Sequence, residues 1–145
     1  MNTINEIQLI YSNEIDSTVK ISNSQTAYNL LLDNWNVNTI QLQEEFKALF
    51  LNRANNVLGI YHMSKGGVAG TVVDMKLLLT AALKSNASSI IVAHNHPSGN
   101  IQYSSQDKIL TKKIKKAAEY LDLQLIDHII ITKSGYYSFS DEGDL

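Results

Sequence analysis

Ser88-Ser89-Ile90-Ile91-Val92-Ala93-His94-Asn95-His96-Pro97 is the stretch that decides the fold. Its apolar run is continuous rather than alternating. Such a run fits a strand covered on both faces. Pro97 removes a backbone donor and biases His96 toward an extended conformation, so the strand should end here. Ser98-Gly99-Asn100 then turns the chain. Side-chain alternation sends His94 and His96 to one side of the sheet and Asn95 to the other. The two imidazoles therefore stand at a sheet's end, where side chains can converge on a cleft.

Elements on either side agree with a strand in the middle of a sheet. Ile7 to Tyr11 reads as a short strand and residues 12–18 as a polar turn or loop. Ser22 or Ser24 would cap a helix running to about Asn34, with Ala27, Leu30, Leu31 and Trp35 as its apolar stripe. Phe46 to Leu51 and Val57 to Met63 read as two strands of a hairpin across the polar turn Asn52-Arg53-Ala54-Asn55-Asn56. Gly66, Gly67 and Gly70 punctuate a loop, and Asp74 would cap a helix over Met75 to Lys84. A helix is expected from Ser104 to about Leu121, with Leu110, Ile114, Ala117 and Leu121 facing inward. Leu125 to Thr132 should be the last long strand, and Ser134-Gly135 turns the chain into Tyr136 to Phe139. Helices alternating with buried strands predict an α/β or α+β fold, a mixed sheet flanked by helices.

The 145 residues suit a single domain, with residues 1–20 as a peripheral extension. Apolar residues make up 44% of the chain, which argues against disorder. There is no cysteine, so any metal must be held by nitrogen and oxygen. No apolar run approaches the ~20 residues that span a bilayer, and residues 1–6 lack the features of a signal peptide. A soluble cytoplasmic protein is the expectation. A net charge of −2 gives no global field toward DNA.

Eleven residues after His96 comes Asp107. Ser104 is a good N-cap and Asp107 then occupies the third helical position, where free amides and the helix dipole favour a carboxylate. The first helical turn can face Asp107 back toward the histidines. His94, His96 and Asp107, with a water in the fourth position, make a catalytic metal set for which one zinc ion is the usual occupant. Iron, cobalt or manganese could also enter such a site. Each half alone is ordinary, a His-x-His pair or a capping pair; their combination at a strand end points to metal. Such a centre lowers the pKa of its water and suits a hydrolase. Glu44 and Glu45 are both candidates for the general base. Alternation puts Glu44 on the side of Phe46 and Glu45 opposite.

His94-Asn95-His96-Pro97-Ser98-Gly99, with Ser104 and Asp107, resembles the RadC family within the JAMM (MPN+, JAB-type) metalloprotease superfamily. The superfamily pattern is His-x-His, seven residues, Ser, two residues, Asp, and this chain matches every position. Thr111, Asp127-His128 and Tyr137-Ser138 are also similar to RadC, so the resemblance covers roughly residues 20–142. It implies a zinc-dependent hydrolase domain of JAMM/MPN-like fold, related to cytidine deaminase, whose superfamily removes ubiquitin-like or other peptide conjugates. It also implies a glutamate before the first core strand and places Glu44 there. Longer RadC proteins begin with a helix-hairpin-helix region, which is not expected within these 145 residues, and the family carries a DNA-repair association. Two departures bear on substrate contacts rather than on the metal set. Met75-Lys76-Leu77 stands in place of a Pro-Arg-Glu-like segment, and Tyr61-His62 where many have an acidic residue.

The mechanism that follows has Glu44 taking a proton from the water and delivering it to the leaving amine of a peptide or isopeptide. Ser104's hydroxyl would donate to the developing oxyanion, or else serve as the helix cap; one orientation does not easily serve both. Asp127 and His128 read as structural residues, with Asp127 backing the site as the alternative. His62 reads as a surface strand residue. A second reading is a nucleic-acid partner for the basic face of Lys108, Lys112, Lys115 and Lys116, with Lys113 at its edge. A third is a non-catalytic metal-binding interaction domain, with exposed strand edges taking a homodimer partner or an extended peptide. No membrane partner is expected.

Overall fold

In a computed structural model, residues 1–8, 10, 12, 19–66 and 72–145 are described. The chain runs α1 (Ser24–Asp33), β1 (Glu45–Leu51), β2 (Val57–Lys65), α2 (Met75–Lys84), β3 (Ser89–Asn95), α3 (Ser105–Glu119), β4 (Gln124–Ile131) and β5 (Tyr136–Ser138). Leu9 and Tyr11 of the expected first strand, most of the turn after it (residues 13–18), and Gly67 and Gly70 of the glycine loop lie outside the described residues. Ile7 and Ile10 are exposed.

The five strands form one sheet in the order β2-β1-β3-β4-β5. β1 pairs antiparallel with both β2 and β3, β3 runs parallel to β4, and β5 returns antiparallel on β4. The sheet is mixed, as expected, and β3 is its middle strand, buried along its whole length. Odd positions of β1 and β3, Leu49, Leu51, Ile91 and Ala93, pack with Ala27, Leu31 and Trp35 on the α1 side. Even positions, Phe46, Ala48, Phe50, Ile90 and Val92, pack with Leu78 and Ala82 of α2 and Ile114 and Ala118 of α3. The continuous apolar run of β3 is thus what two helical layers require. No described helix is long and apolar enough to cross a membrane.

The cap of α1 is Asn23, not Ser22 or Ser24: its side-chain oxygen accepts from the Thr26 amide at 2.8 Å. Asp74 caps α2 as the sequence predicts. The inward face of α3 is Thr111, Ile114 and Ala118, a rotation from the expected stripe; Leu121 lies beyond the helix and is exposed. The cause is Thr111, a polar residue that the apolar stripe passed over but whose hydroxyl finds partners inside.

Asn95 is fully buried and binds the segment leading into β1. Its side-chain oxygen accepts from the Glu45 amide at 2.7 Å, and its nitrogen donates to the carbonyls of Ile40 at 2.7 Å and Gln43 at 2.9 Å. A residue that cannot form these bonds leaves an amide and two carbonyls unpaired away from water. Asn95→Leu is expected to destabilise the protein by about 2–4 kcal/mol in urea unfolding. A change within about 0.5 kcal/mol would show that the three bonds do not anchor the segment.

Candidate metal centre

His94 is an even residue of β3 and turns toward α3. His96, two residues on, turns the same way. Its amide donates to the Ile131 carbonyl at 3.1 Å, so the chain keeps its extended course one residue past the strand before Pro97. The chain then folds tightly. The Gly99 amide donates to the His96 carbonyl at 3.0 Å, and Gly99 sits at φ +85°, a conformation open to glycine at little cost. The turn brings the Asn100 carbonyl to 2.6 Å from His96 Nδ1. A carbonyl only accepts, so Nδ1 carries the proton and Nε2 presents its lone pair to the cleft.

Asp107 arrives from the other side by helix capping. Ser104 Oγ accepts from the Asp107 amide at 3.1 Å, and Asp107 Oδ2 accepts from the Ser104 amide at 2.9 Å. This reciprocal box fixes the first turn of α3 with the carboxylate aimed at the histidines. The cap occupies a lone pair of Ser104 and leaves its proton free to donate. The expected competition between capping and donating is therefore removed, because the two roles use different parts of one hydroxyl.

Donor atoms of three side chains converge. His94 Nε2 and His96 Nε2 are 3.0 Å apart, Asp107 Oδ1 is 3.3 Å from the first and Oδ2 is 3.4 Å from the second. Zinc bonds of about 2.0–2.1 Å at tetrahedral angles put neighbouring donors about 3.3 Å apart. The nearest contact of each pair is close to that spacing, and one ligand atom from each residue lies within 4.8 Å of the others. Among the described residues these three form the cluster able to hold a metal. His94 is buried, while His96 and Asp107 are half-buried, which leaves one side open. Burial works to raise the Asp107 carboxyl, but without an ion His94 and His96 hydrogen-bond it when their Nε2 atoms carry protons, and these bonds, the charge of His94 and the Ser104 amide hold it well below the usual carboxylate range. Burial opposes the charge on His96, yet Asp107, the Asn100 carbonyl and the charge of Glu44 together raise its pKa.

Glu44 immediately precedes β1 and is half-buried. Its carbonyl accepts from the Gly66 amide at 2.9 Å. Glu45 points to the α1 face, buried, with Lys47 Nζ at 3.4 Å and Lys65 Nζ at 3.6 Å from its carboxylate. The sequence left these two glutamates as alternatives; the structure puts Glu45 on the far side of the sheet from His94. That far face also has a hollow of about 650 Å³ lined by Trp35, Glu45, Lys47 and His62, separate from the metal ligands. His62 is exposed on β2.

Behind His94 stands His128, fully buried on β4, with its Nε2 at 2.8 Å from His94 Nδ1. His128 Nδ1 lies 2.6 Å from Thr111 Oγ1, and that hydroxyl donates to the Asp107 carbonyl at 2.7 Å. Phe139 stacks on the His128 ring at 4.8 Å and Phe46 packs edge-on at 5.7 Å, sealing it from water. Burial, then the neighbouring His94, pushes His128 well below the usual imidazole pKa. Asp127 does not back the site. Its carboxylate accepts from Ser138 Oγ at 2.6 Å and the Ser140 amide at 3.0 Å, tying down the end of β5. The favoured sequence reading, a structural role for both residues, holds for Asp127; its alternative looked to Asp127 for backing, whereas the residue beside His94 is His128. The overlooked signal was Thr111, one helical turn after Asp107.

The basic residues of α3 are mixed with acid. Lys108 Nζ is 4.0 Å from Asp144, while Lys112, Lys113 and Lys116 are exposed.

Comparison with known proteins matches the model of the RadC-like JAB domain over residues 21–144. A UPF0758 protein of Flavobacterium johnsoniae is 52% identical over 100 residues, covering 69% of this chain and 44% of the relative. UPF0758 proteins of Porphyromonas gingivalis and Thermotoga maritima are 45% identical over 102 residues and 36% over 103, covering 70% and 71% of this chain and 45% and 46% of those relatives. The chain thus spans less than half the length of the curated relatives it matches. With the histidine pair, the capping serine and the aspartate converged on one point, and a family match over nearly the whole described fold, the chain belongs to the RadC-like JAB domain family, within the JAMM/MPN+ superfamily.

Proposed function

We propose that the protein is a zinc-dependent hydrolase that cleaves a peptide or isopeptide amide. The observation that carries this reading is the convergence of His94 Nε2, His96 Nε2 and the Asp107 carboxylate at 3.0–3.4 Å, with one side open. The donor set is two neutral imidazoles and one carboxylate, a hard and borderline mixture that suits zinc. When bound, the ion supplies Lewis-acid polarisation of an amide carbonyl and a more acidic water.

The chain's own residues supply the proton traffic. Glu44 is the general base: its carboxylate accepts a proton from the water and later donates it to the leaving amine. Asn95 holds the backbone at Glu45 from the opposite face, and so positions the residue beside it. The Ser104 hydroxyl, with its proton uncommitted to the cap, donates to the oxygen that gains charge as the carbonyl is attacked. The preference for an amide follows the superfamily's conjugate-cleaving members. The residues assigned to proton transfer and oxyanion binding come from the segments that lead into β1 and α3.

Elemental analysis of purified protein loaded with zinc is expected to find about one ion per chain in the wild type, for a single three-ligand site. His96→Ala should retain far less; equal content in the two would overturn the ligand assignment. Glu44→Gln should keep the wild-type zinc content and lower turnover by about 10²–10⁴-fold on any peptide or isopeptide that the wild type cleaves. Full activity in that variant would reject Glu44 as the base. Ser104→Ala removes both the cap and the donor. It should cost about 1 kcal/mol of stability from the cap and about 10²-fold or more in turnover from the donor. A stability loss with unchanged turnover would leave Ser104 as a cap alone.

A further inference from the structure

We infer that Thr111 and His128 form a hydrogen-bond relay that sets the tautomer of His94 and so keeps His94 Nε2 bare for the metal. The inference rests on the metal-centre reading and adds two positioning residues behind it, drawn from α3 and β4.

Direction in the relay can be worked out from either end. At one end is the Asp107 carbonyl, which has no proton to give. Thr111 Oγ1 is 2.7 Å from it and must offer its own proton, since two oxygen lone pairs do not face each other comfortably at that distance. The hydroxyl then has only lone pairs for His128 Nδ1, 2.6 Å away, so that nitrogen donates. A neutral imidazole has one N–H, so His128 Nε2 accepts. Its partner at 2.8 Å, His94 Nδ1, must therefore hold a proton. In the neutral ring that leaves His94 Nε2 without one. At the other end, a metal ligand needs a bare Nε2 and a protonated Nδ1, and this again requires His128 Nε2 to accept. Both ends demand one polarity. The reversed chain would put a proton on His94 Nε2, the atom that faces His96 and Asp107.

The relay also joins two ligands to each other. Asp107 contributes its carboxylate to the cluster, while its carbonyl anchors the Thr111 hydroxyl that acts on His94. His96 has its own simpler arrangement, the Asn100 carbonyl at 2.6 Å from Nδ1. A carbonyl fixes His96 directly. For His94, deep in the sheet, two side chains transmit the same instruction.

Histidine ¹⁵N spectra of the wild-type protein, recorded without metal and with zinc, test the polarity directly. His128 should show a protonated Nδ1 and a bare Nε2 in both, and a protonated Nε2 on His128 would overturn the relay. Zinc affinity, measured by competition with a chromophoric chelator, tests its consequence. Thr111→Val keeps the shape and removes the hydroxyl; it should weaken zinc binding by about 10–100-fold, the usual cost of losing a group that orients a ligand. Thr111→Ser should restore affinity to near the wild-type value. A purely structural threonine would lower the unfolding midpoint of Thr111→Val and leave the Kd of the folded protein unchanged, and that result would also overturn the relay. A wild-type protein that takes up no zinc would sink the metal-centre reading instead, and the histidine spectrum would still decide the relay.

Discussion

Lone pairs from two imidazoles and a carboxylate repel one another at 3.0–3.4 Å unless a cation lies between them, and the rest of the structure serves to hold them at that spacing. Each ligand is held by a different local device. His94 sits on the central strand, where neighbours on both sides and both faces fix the backbone. His96 depends on a backbone bond to Ile131 and on the turn through Gly99 that presents the Asn100 carbonyl. Asp107 depends on the capping box at the start of α3. None of these devices is unusual alone. Their joint effect is that three atoms from a strand, a turn and a helix meet with little freedom left to lose when an ion binds.

The tripeptide His94-Asn95-His96 acts in two directions because of strand alternation. The histidines face the α3 side, and Asn95 faces the other, where its three bonds hold the chain that leads from Ile40 to Glu45. Glu44 lies in that chain. The two histidine ligands and the residue proposed as the base are therefore referenced to one tripeptide at the end of β3. A substitution at Asn95, which touches no ligand, would act on the site through the backbone of β1.

Much of this was legible in the sequence. The uninterrupted run Ile90-Ile91-Val92-Ala93 announces a strand covered on both faces, and helices are needed to cover it. Ser104 and Asp107 announce a helix start, because the capping box is local chemistry between residues three apart. Glu44 and Glu45 illustrate what the sequence separates only in part: alternation puts them on opposite faces, but which face holds the ligands depends on how β1 pairs with β3. The contact of Phe46 opposite His94 settles that pairing. Three points were not legible. Asn23 rather than a serine caps α1, since three adjacent polar residues offer similar oxygens and the tertiary position of the helix chooses among them. Thr111 faces inward although it is polar, because its partners come from His128, which is distant in sequence. His128 rather than Asp127 supports the site, since a strand sends adjacent residues to opposite faces and only the parallel pairing of β3 with β4 puts His128 beside His94.

The most direct test of the central claim is X-ray absorption at the zinc edge of the loaded protein. The account predicts a four-coordinate ion with two imidazole nitrogens and oxygen donors at about 2.0–2.1 Å, one of them the Asp107 carboxylate. A third imidazole in the coordination sphere would contradict it, because it would make His128 a ligand rather than the group behind one. So would an ion surrounded by oxygens alone.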